Sequence, residues 1–412
     1  MRISKILIMF VLIILLFGTI VRAAEEPEIT ATSAVVVDCI DGKILYSKNM
    51  EERLYPASLT NVMVAILVLE NCNMEDDIKV SESAINNVEQ GYLTANIKAG
   101  EVFKVEELLN LLLISSYHDV SNVFAEHIAG NVESFVEMMN NKAKEIGCKN
   151  SSFVNNTGAH DTNHYSTAYD MALIAKYAMQ YDEIKEAQNK IYYELRATDI
   201  YTKSDRLYQA SNEMILRGKS NYYRYAKGIK TSFTTPAGYC VMTYSEKNDI
   251  PLVSVVMKAT TSDSRYEDAK KILEYSYDNN TIKTIATLGT NIQTLNIKNG
   301  TSKTKKLNLV LGNTVKAVVN IENKDKLVEP KISIKENLKA PIEKGEVVGE
   351  VDYEIEGKIY TSTLVAQSDV KKSYKGIIFI ILFLLILTIL GSLRIVSIRN
   401  RNIILNKIRN KK

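Results

Sequence analysis

Cysteine and histidine are scarce in this chain, with four of each in 412 residues. Cys39, Cys72, Cys148 and Cys240 stand too far apart for a metal-site spacing or a dense disulfide framework. They read as buried small hydrophobes, and an oxidising exterior allows a disulfide among them without the spacing setting any pairing. No clear cluster of His, Cys, Asp or Glu stands out, so no metal and no organic cofactor is implied. Excess basic charge is also missing from the body of the protein. Three positive charges in residues 1–23 and seven after Leu393 more than account for the net +3, leaving −7 over residues 24–393. That balance excludes nucleic acid as a partner. What remains is 46% hydrophobic and 24% charged, the composition of a globular protein of two or three domains rather than a disordered or fibrous one.

Both ends carry apolar runs without charge. Arg2 and Lys5 precede an uncharged stretch from Ile6 to Ile20, and Val21-Arg22-Ala23 follows in the small-residue pattern of a secretory cleavage site. Residues 1–23 are therefore expected to be a signal peptide cut after Ala23. An uncleaved anchor is the weaker reading, because the run is short for a spanning helix of about 20 residues. The second run, residues 376–393, is 18 residues long and would reach about 27 Å as a helix, enough to cross a membrane. The tail at 394–412 is basic with no acidic residue. The positive-inside bias places it in the cytoplasm and the bulk of the protein on the outer face, as a single-pass protein. Nothing follows the run that would cover it as a buried core helix.

Between the ends, two β-prone runs flank Asp41-Gly42 and predict an opening hairpin. Helical patterns cover residues 56–70, 106–115, 121–130, 132–146 and 166–180, the last with Ser166 or Thr167 as its cap. Strand patterns return at 228–233, 238–245 and 251–259, and a helix at 264–277 is expected to cover that sheet. This order is α+β, over residues 24–280. From 281 to 370, short Val, Ile and Leu runs separated by Asn-Gly, Gly-Asn and Lys-Gly turns predict a small separate β domain.

The chemistry-bearing residues form a series. Pro56-Ala57-Ser58-Leu59-Thr60-Asn61 puts Ser58 in the first turn of a helix and Asn61 three residues on, on the same face. A serine in that position is commonly a helix cap. Its setting changes the reading: RLYPASLTN before an apolar helix, LLLISSYHDVSNVFAEHIAG at 111–130, and Gly228-Ile229-Lys230-Thr231-Ser232 followed by Ala237-Gly238-Tyr239-Cys240. In order and spacing these strings resemble the Ser-x-x-Lys, Ser-x-Asn and Lys-Thr-Gly motifs of the serine D-alanyl-D-alanine carboxypeptidases, a branch of the low-molecular-mass penicillin-binding proteins. His164-Tyr165-Ser166-Thr167-Ala168 and Ala340-Pro341-Ile342-Glu343-Lys344-Gly345 extend the resemblance over nearly the whole exported chain. It implies a penicillin-binding, β-lactamase-like transpeptidase domain followed by a small all-β domain. It also implies peptidoglycan stem peptides ending in D-Ala-D-Ala, and β-lactams, as ligands.

Each motif departs from the family at one residue. The lysine is Asn61, the second motif reads Ser116-Tyr117-His118, and the third ends in Ser232. In the family the lysine takes the serine proton during acylation, and an amide nitrogen has no lone pair available to do so. Turnover through Ser58 is therefore expected to be attenuated or lost. His118 stands in as a base only if it lies within hydrogen-bond reach of Ser58 or Ser116. Lys230 and Thr231 remain to bind a terminal carboxylate, while Ser232 narrows the cleft where glycine would admit a strand-like ligand. Two functions compete: a carboxypeptidase acting through an acyl-Ser58 intermediate, and a non-catalytic descendant that binds stem peptides or wall enzymes and regulates or scaffolds wall synthesis. A β-lactamase-like hydrolase ranks last, since its Lys or Glu machinery is not found.

Overall fold

The computed structural model describes residues 25–409. The expected signal segment and the last residues of the basic tail lie outside the described residues. The chain divides into two compact units: residues up to Ile282 together with Val318–Lys324, and Lys283–Ala317 together with Asp325–Lys412.

The centre of the first unit is an antiparallel sheet. It is built from β1 (Ser33–Asp38), β2 (Ile44–Lys48), β7 (Ala226–Thr234), β8 (Gly238–Lys247) and β9 (Ile250–Ala259), in the order β2-β1-β9-β8-β7. Side chains alternate across a strand, and β1 is buried throughout because both of its faces are covered. Val35 and Val37 join one core while Ala34 and Val36 join the other. On the second face lies α8 (Ser262–Asn279), capped by the Thr261 hydroxyl, which accepts from Ser264 N–H. The helices of the other face surround α1 (Asn61–Asn71), whose residues 61–68 are all buried. A helix apolar on every side belongs in the middle of a core, and the Val-Met-Val-Ala-Ile-Leu-Val run of α1 meets that condition.

Around α1 pack α3 (Val105–Ser115), α4 (His118–Ala129), α5 (Val132–Ile146) and α6 (Ala168–Ala178). Thr167 is the cap of α6, its hydroxyl accepting from Asp170 N–H. Helix α4 starts three residues before the start expected at Ser121, after Ser116 at the end of α3 takes a left-handed conformation with φ +60°. Sequence patterns did not reveal the shorter pieces: α2 (Glu82–Asn86), α7 (Asp182–Gln188), the ribbon of β3 (Asp77–Lys79) with β4 (Val102–Lys104), and the hairpin of β5 (Tyr192–Leu195) with β6 (Arg206–Gln209). All four cysteines are free thiols, but only Cys240 is fully buried; Cys39, Cys72 and Cys148 are half-buried, so the expectation of buried cysteines holds for one of the four. Burial pushes Cys39 and Cys148 up to about 12 and Cys72 up to about 11, the behaviour of packing residues rather than nucleophiles.

The second unit is a five-stranded antiparallel sheet of β11 (Asn291–Asn296), β12 (Lys306–Leu311), β14 (Pro330–Ile334), β15 (Val347–Ile355) and β16 (Lys358–Ala366), in the order β11-β12-β16-β15-β14. Leu307, Leu309, Leu311, Val351 and Leu364 fill its core. A separate ribbon pairs β10 (Asn280–Ala286) with β13 (Val315–Asn320). The last described element is α9 (Lys375–Arg409), 35 residues long. Among the described residues it is the one helix long and apolar enough to cross a membrane.

Candidate active site

The serine turn precedes α1 as a short 3-10 segment, Ala57–Thr60. Ala57 is in the left-handed region with φ +48°, a conformation that disfavours side chains with a Cβ and requires support from its surroundings. Support comes from the loop at 155–159. Gly158 has φ +81°, and a Cβ there would stand 2.0 Å from the Ala57 carbonyl oxygen, so only glycine allows this approach. Asn155 holds the loop by accepting from Gly158 N–H at 2.8 Å and donating to Ala159 O at 2.9 Å.

Ser58 is half-buried, and among the described residues its hydroxyl has no hydrogen-bond partner. Two residues on, Thr60 Oγ1 lies 2.9 Å from His164 Nε2. His164 Nδ1 accepts from Val154 N–H at 3.3 Å, so the ring proton sits on Nε2 and is donated to Thr60. Burial brings this imidazole down to about 4, and it serves as a neutral strut beneath the turn.

Asn61, where the family lysine is expected, is fully buried, and neither of its amide atoms has a partner among the described residues. Such an orphaned amide typically costs about 1–3 kcal/mol in desolvation. His118 is buried, stacks on Tyr92 with ring centroids 4.5 Å apart, and is brought down to about 4 by burial. Among the described residues its ring makes no hydrogen bond to Ser58 or Ser116. It faces a cleft of about 260 Å3 lined also by Tyr92, Asn122, Asn155, Asn156 and Thr157.

The third motif lies on β7, the edge strand of the sheet. Lys230 and Ser232 are two residues apart, which puts them on one face of the strand. The Ser232 hydroxyl donates to Pro56 O at 2.9 Å, joining the strand to the serine turn across the position where the family has glycine. Lys230 is buried, and its Nζ donates to Leu112 O at 2.7 Å and Leu113 O at 2.8 Å, in the last turn of α3 just before Ser116. Burial holds this amine well below the ordinary lysine value. Thr231 Oγ1 is 3.2 Å from Ser211 Oγ, and Arg265 donates to Ser232 O at 3.2 Å.

The fold thus gathers Ser58, Lys230 and Ser232 around one edge strand, with Ser116 at the adjoining helix end, while His118 lines a cleft with Tyr92 and the 155–157 segment and makes no hydrogen bond to Ser58 or Ser116 among the described residues. The sequence reading missed Gly158, Ser211 and Arg265, which act through long-range contacts. His164 stands out in the sequence only as part of a string that matches the family.

A helix-flanked antiparallel sheet, with a Lys-Thr edge strand beside a serine at the head of a buried helix, defines a fold of the penicillin-binding class. Residues 20–261 match the D-alanyl-D-alanine carboxypeptidase family and residues 269–372 match the penicillin-binding protein 5 C-terminal domain. The chain belongs to the D-alanyl-D-alanine carboxypeptidase family of low-molecular-mass penicillin-binding proteins. It is 32% identical over 353 residues to the D-alanyl-D-alanine carboxypeptidase DacF of Bacillus subtilis, covering 83% of this chain and 86% of that protein. With DacA of Haemophilus influenzae it shares 31% over 360 residues, covering 84% and 86%. Among solved structures, penicillin binding protein 5 from Haemophilus influenzae superposes with a TM-score of 0.68 at 27% identity, over 84% of this chain and 99% of that one.

Proposed function

We propose that this chain is a membrane-anchored wall protein that holds peptidoglycan stem peptides ending in D-Ala-D-Ala, and β-lactams, against Ser58, with its carboxypeptidase chemistry strongly attenuated. The observation that carries this reading is the pairing of an unbonded Ser58 hydroxyl with a buried, unpartnered Asn61. Among the described residues no base is hydrogen-bonded to the serine. Loss of a positioned general base typically costs on the order of 10² to 10⁴ in rate. His118 does not compensate, because a stacked imaidazole brought down to about 4 is a weak base with no bond to Ser58.

Ligand binding has a separate basis. Lys230 and Thr231 stand on an edge strand, and a peptide carboxylate arriving there would favour the charged form of Lys230 and so draw a proton onto it. Ser232 crowds the same edge through its bond to Pro56. In this reading residues 1–23 direct export and are removed, residues 376–393 of α9 anchor the chain, the basic tail at 394–412 faces the cytoplasm, and residues 24–280 and 281–370 stand on the wall side. The second reading, a non-catalytic peptidoglycan-binding, regulatory or scaffold protein, is favoured by the same orphaned Asn61 if the rate falls below physiological use.

The deciding experiment incubates the full chain with a fluorescent penicillin and follows the covalent adduct by intact mass. Little or no adduct is expected on the unaltered protein, labelling regained with Asn61→Lys, and none with Ser58→Ala. Rapid labelling of the unaltered protein that persists in His118→Ala and disappears in Ser58→Ala would overturn attenuation. A hundredfold fall in His118→Ala would make that histidine the base.

A further inference from the structure

The base of the second unit gathers positive charge from segments far apart in the chain. Residues 297–306, 337–342 and 370–375 contain eight lysines and no acidic residue. The backbone ties them together beside the start of α9. Lys298 bridges Lys339, and Gly300 bridges Lys372. Thr301 N–H donates to Lys371 O at 2.9 Å, Lys371 N–H to Thr304 Oγ1 at 3.0 Å, and Ser373 N–H to Asn299 O at 2.7 Å. Lys298, Lys305, Lys339, Lys371, Lys372 and Lys375 are all exposed, and none makes an ion pair among the described residues. Asp369, the nearest acidic residue in sequence to Lys371, accepts a backbone N–H from Lys344 instead.

Like charges collected without ion-pair partners repel one another, and their preferred neighbour is a surface of opposite sign. The occupant follows from what comes next in the chain. Lys375 is the first residue of the apolar helix, and Tyr374 beside it is 56% exposed with Lys372 Nζ 5.7 Å from its ring centroid. Tyrosines and lysines at the end of a spanning helix sit at headgroup depth. We propose that this lysine cluster is a docking surface for anionic phospholipid headgroups, which draws the base of the β unit onto the bilayer and restricts its tilt about the start of α9. The inference rests on the anchoring of α9 in a membrane and is independent of any chemistry at Ser58.

The full chain is reconstituted in mixed phosphatidylglycerol and phosphatidylcholine bilayers, then extracted in mild detergent, and the retained lipid is quantified by mass spectrometry. Lys298→Gln/Lys305→Gln/Lys339→Gln removes charge remote in sequence from the helix, and Lys316→Gln/Lys331→Gln/Lys335→Gln makes the same change elsewhere in the unit. Each lysine near the surface is expected to contribute about fivefold in preference for anionic lipid. The cluster variant should therefore lose most of the preference, and the control variant should keep it. Equal retention by all three overturns the inference. Loss of the preference on adding inorganic phosphate or a soluble poly(glycerol phosphate), at matched ionic strength, also overturns it, by revealing a site for free phosphate or for a wall polymer. Alkaline carbonate extraction separates the two levels: a chain released from the bilayer refutes the anchor itself, whereas an embedded chain without lipid preference refutes only the docking surface.

Discussion

At the scale of single residues, Asn61 links the proposed loss of chemistry to stability. Its two unpaired amide atoms are buried at the head of the apolar run at 62–68. Replacing a desolvated amide by a hydrocarbon of similar size removes the unmet hydrogen-bonding requirement. Asn61→Leu is accordingly expected to stabilise the chain by about 1 kcal/mol and to raise Tm by about 2–4 °C in a thermal melt, without labelling by penicillin. A lower Tm would show that the amide is satisfied in solution. His164 holds the same turn from below, and its tautomer is set by Val154 N–H. Ser232 is the third such residue. Its bond to Pro56 O ties the edge strand to the serine turn, and under the proposed function it would crowd an approaching ligand strand. Adding Ser232→Gly to Asn61→Lys is expected to cost about 1 kcal/mol of stability and to speed penicillin labelling several-fold. Unchanged labelling would mean that the hydroxyl does not obstruct the cleft.

At the scale of elements, the serine turn and the 155–159 loop act as one piece. A left-handed Ala57 is kept in place by a glycine with φ +81° that has no room for a Cβ. Gly158→Ala combines a strained backbone with a clash against a carbonyl, and is expected to destabilise by about 2–4 kcal/mol, measured as a fall in the urea midpoint. The same variant should lose penicillin labelling in the Asn61→Lys background, because the turn that presents Ser58 would have moved. An unchanged midpoint would show that the loop is free to retreat. Helix α3 adds a second constraint, since its last carbonyls receive both hydrogen bonds from Lys230 and its end is fixed by the left-handed Ser116.

At the scale of the whole molecule, buried histidines set a response to acid. His118 and His164 both lie at about 4 in the folded state, below the ordinary 6.5. Well above pH 6.5 both are neutral whether folded or not, and they contribute no pH dependence. Between pH 6.5 and 4 the unfolded chain takes up protons that the folded chain refuses, so stability falls as pH falls, by at most about 3 kcal/mol per histidine. Asp38 and Asp119, raised by burial, work in the opposite sense in acid. The urea midpoint is expected to drop between pH 7 and 4.5, with a shallower drop in His164→Gln. A flat profile would contradict buried, neutral imidazoles.

Much of this was legible in the order of residues. The helix at Val132–Ile146 has the bounds its pattern predicts, the strands β7, β8 and β9 fall on the β-prone runs, and the terminal apolar run forms a helix. These features are local or periodic, and period and turn chemistry report on neighbours a few residues apart. Shorter pieces such as β3, β4 and the β5–β6 hairpin escaped because three or four residues carry too little pattern to stand out. The identity of Asn61 in place of a lysine is likewise a fact of sequence alone. Its lack of any partner is not, nor is the burial of Lys230 against Leu112 and Leu113, the bond from Ser232 to Pro56, or the turning of His118 toward Tyr92. The Ser232–Pro56 bond spans 176 residues and the Lys230–Leu112 bond spans 118. Contacts of that range exist only once the sheet and its helices have packed, so sequence determined which chemistry-bearing groups this protein has, and tertiary structure decided which of them can meet.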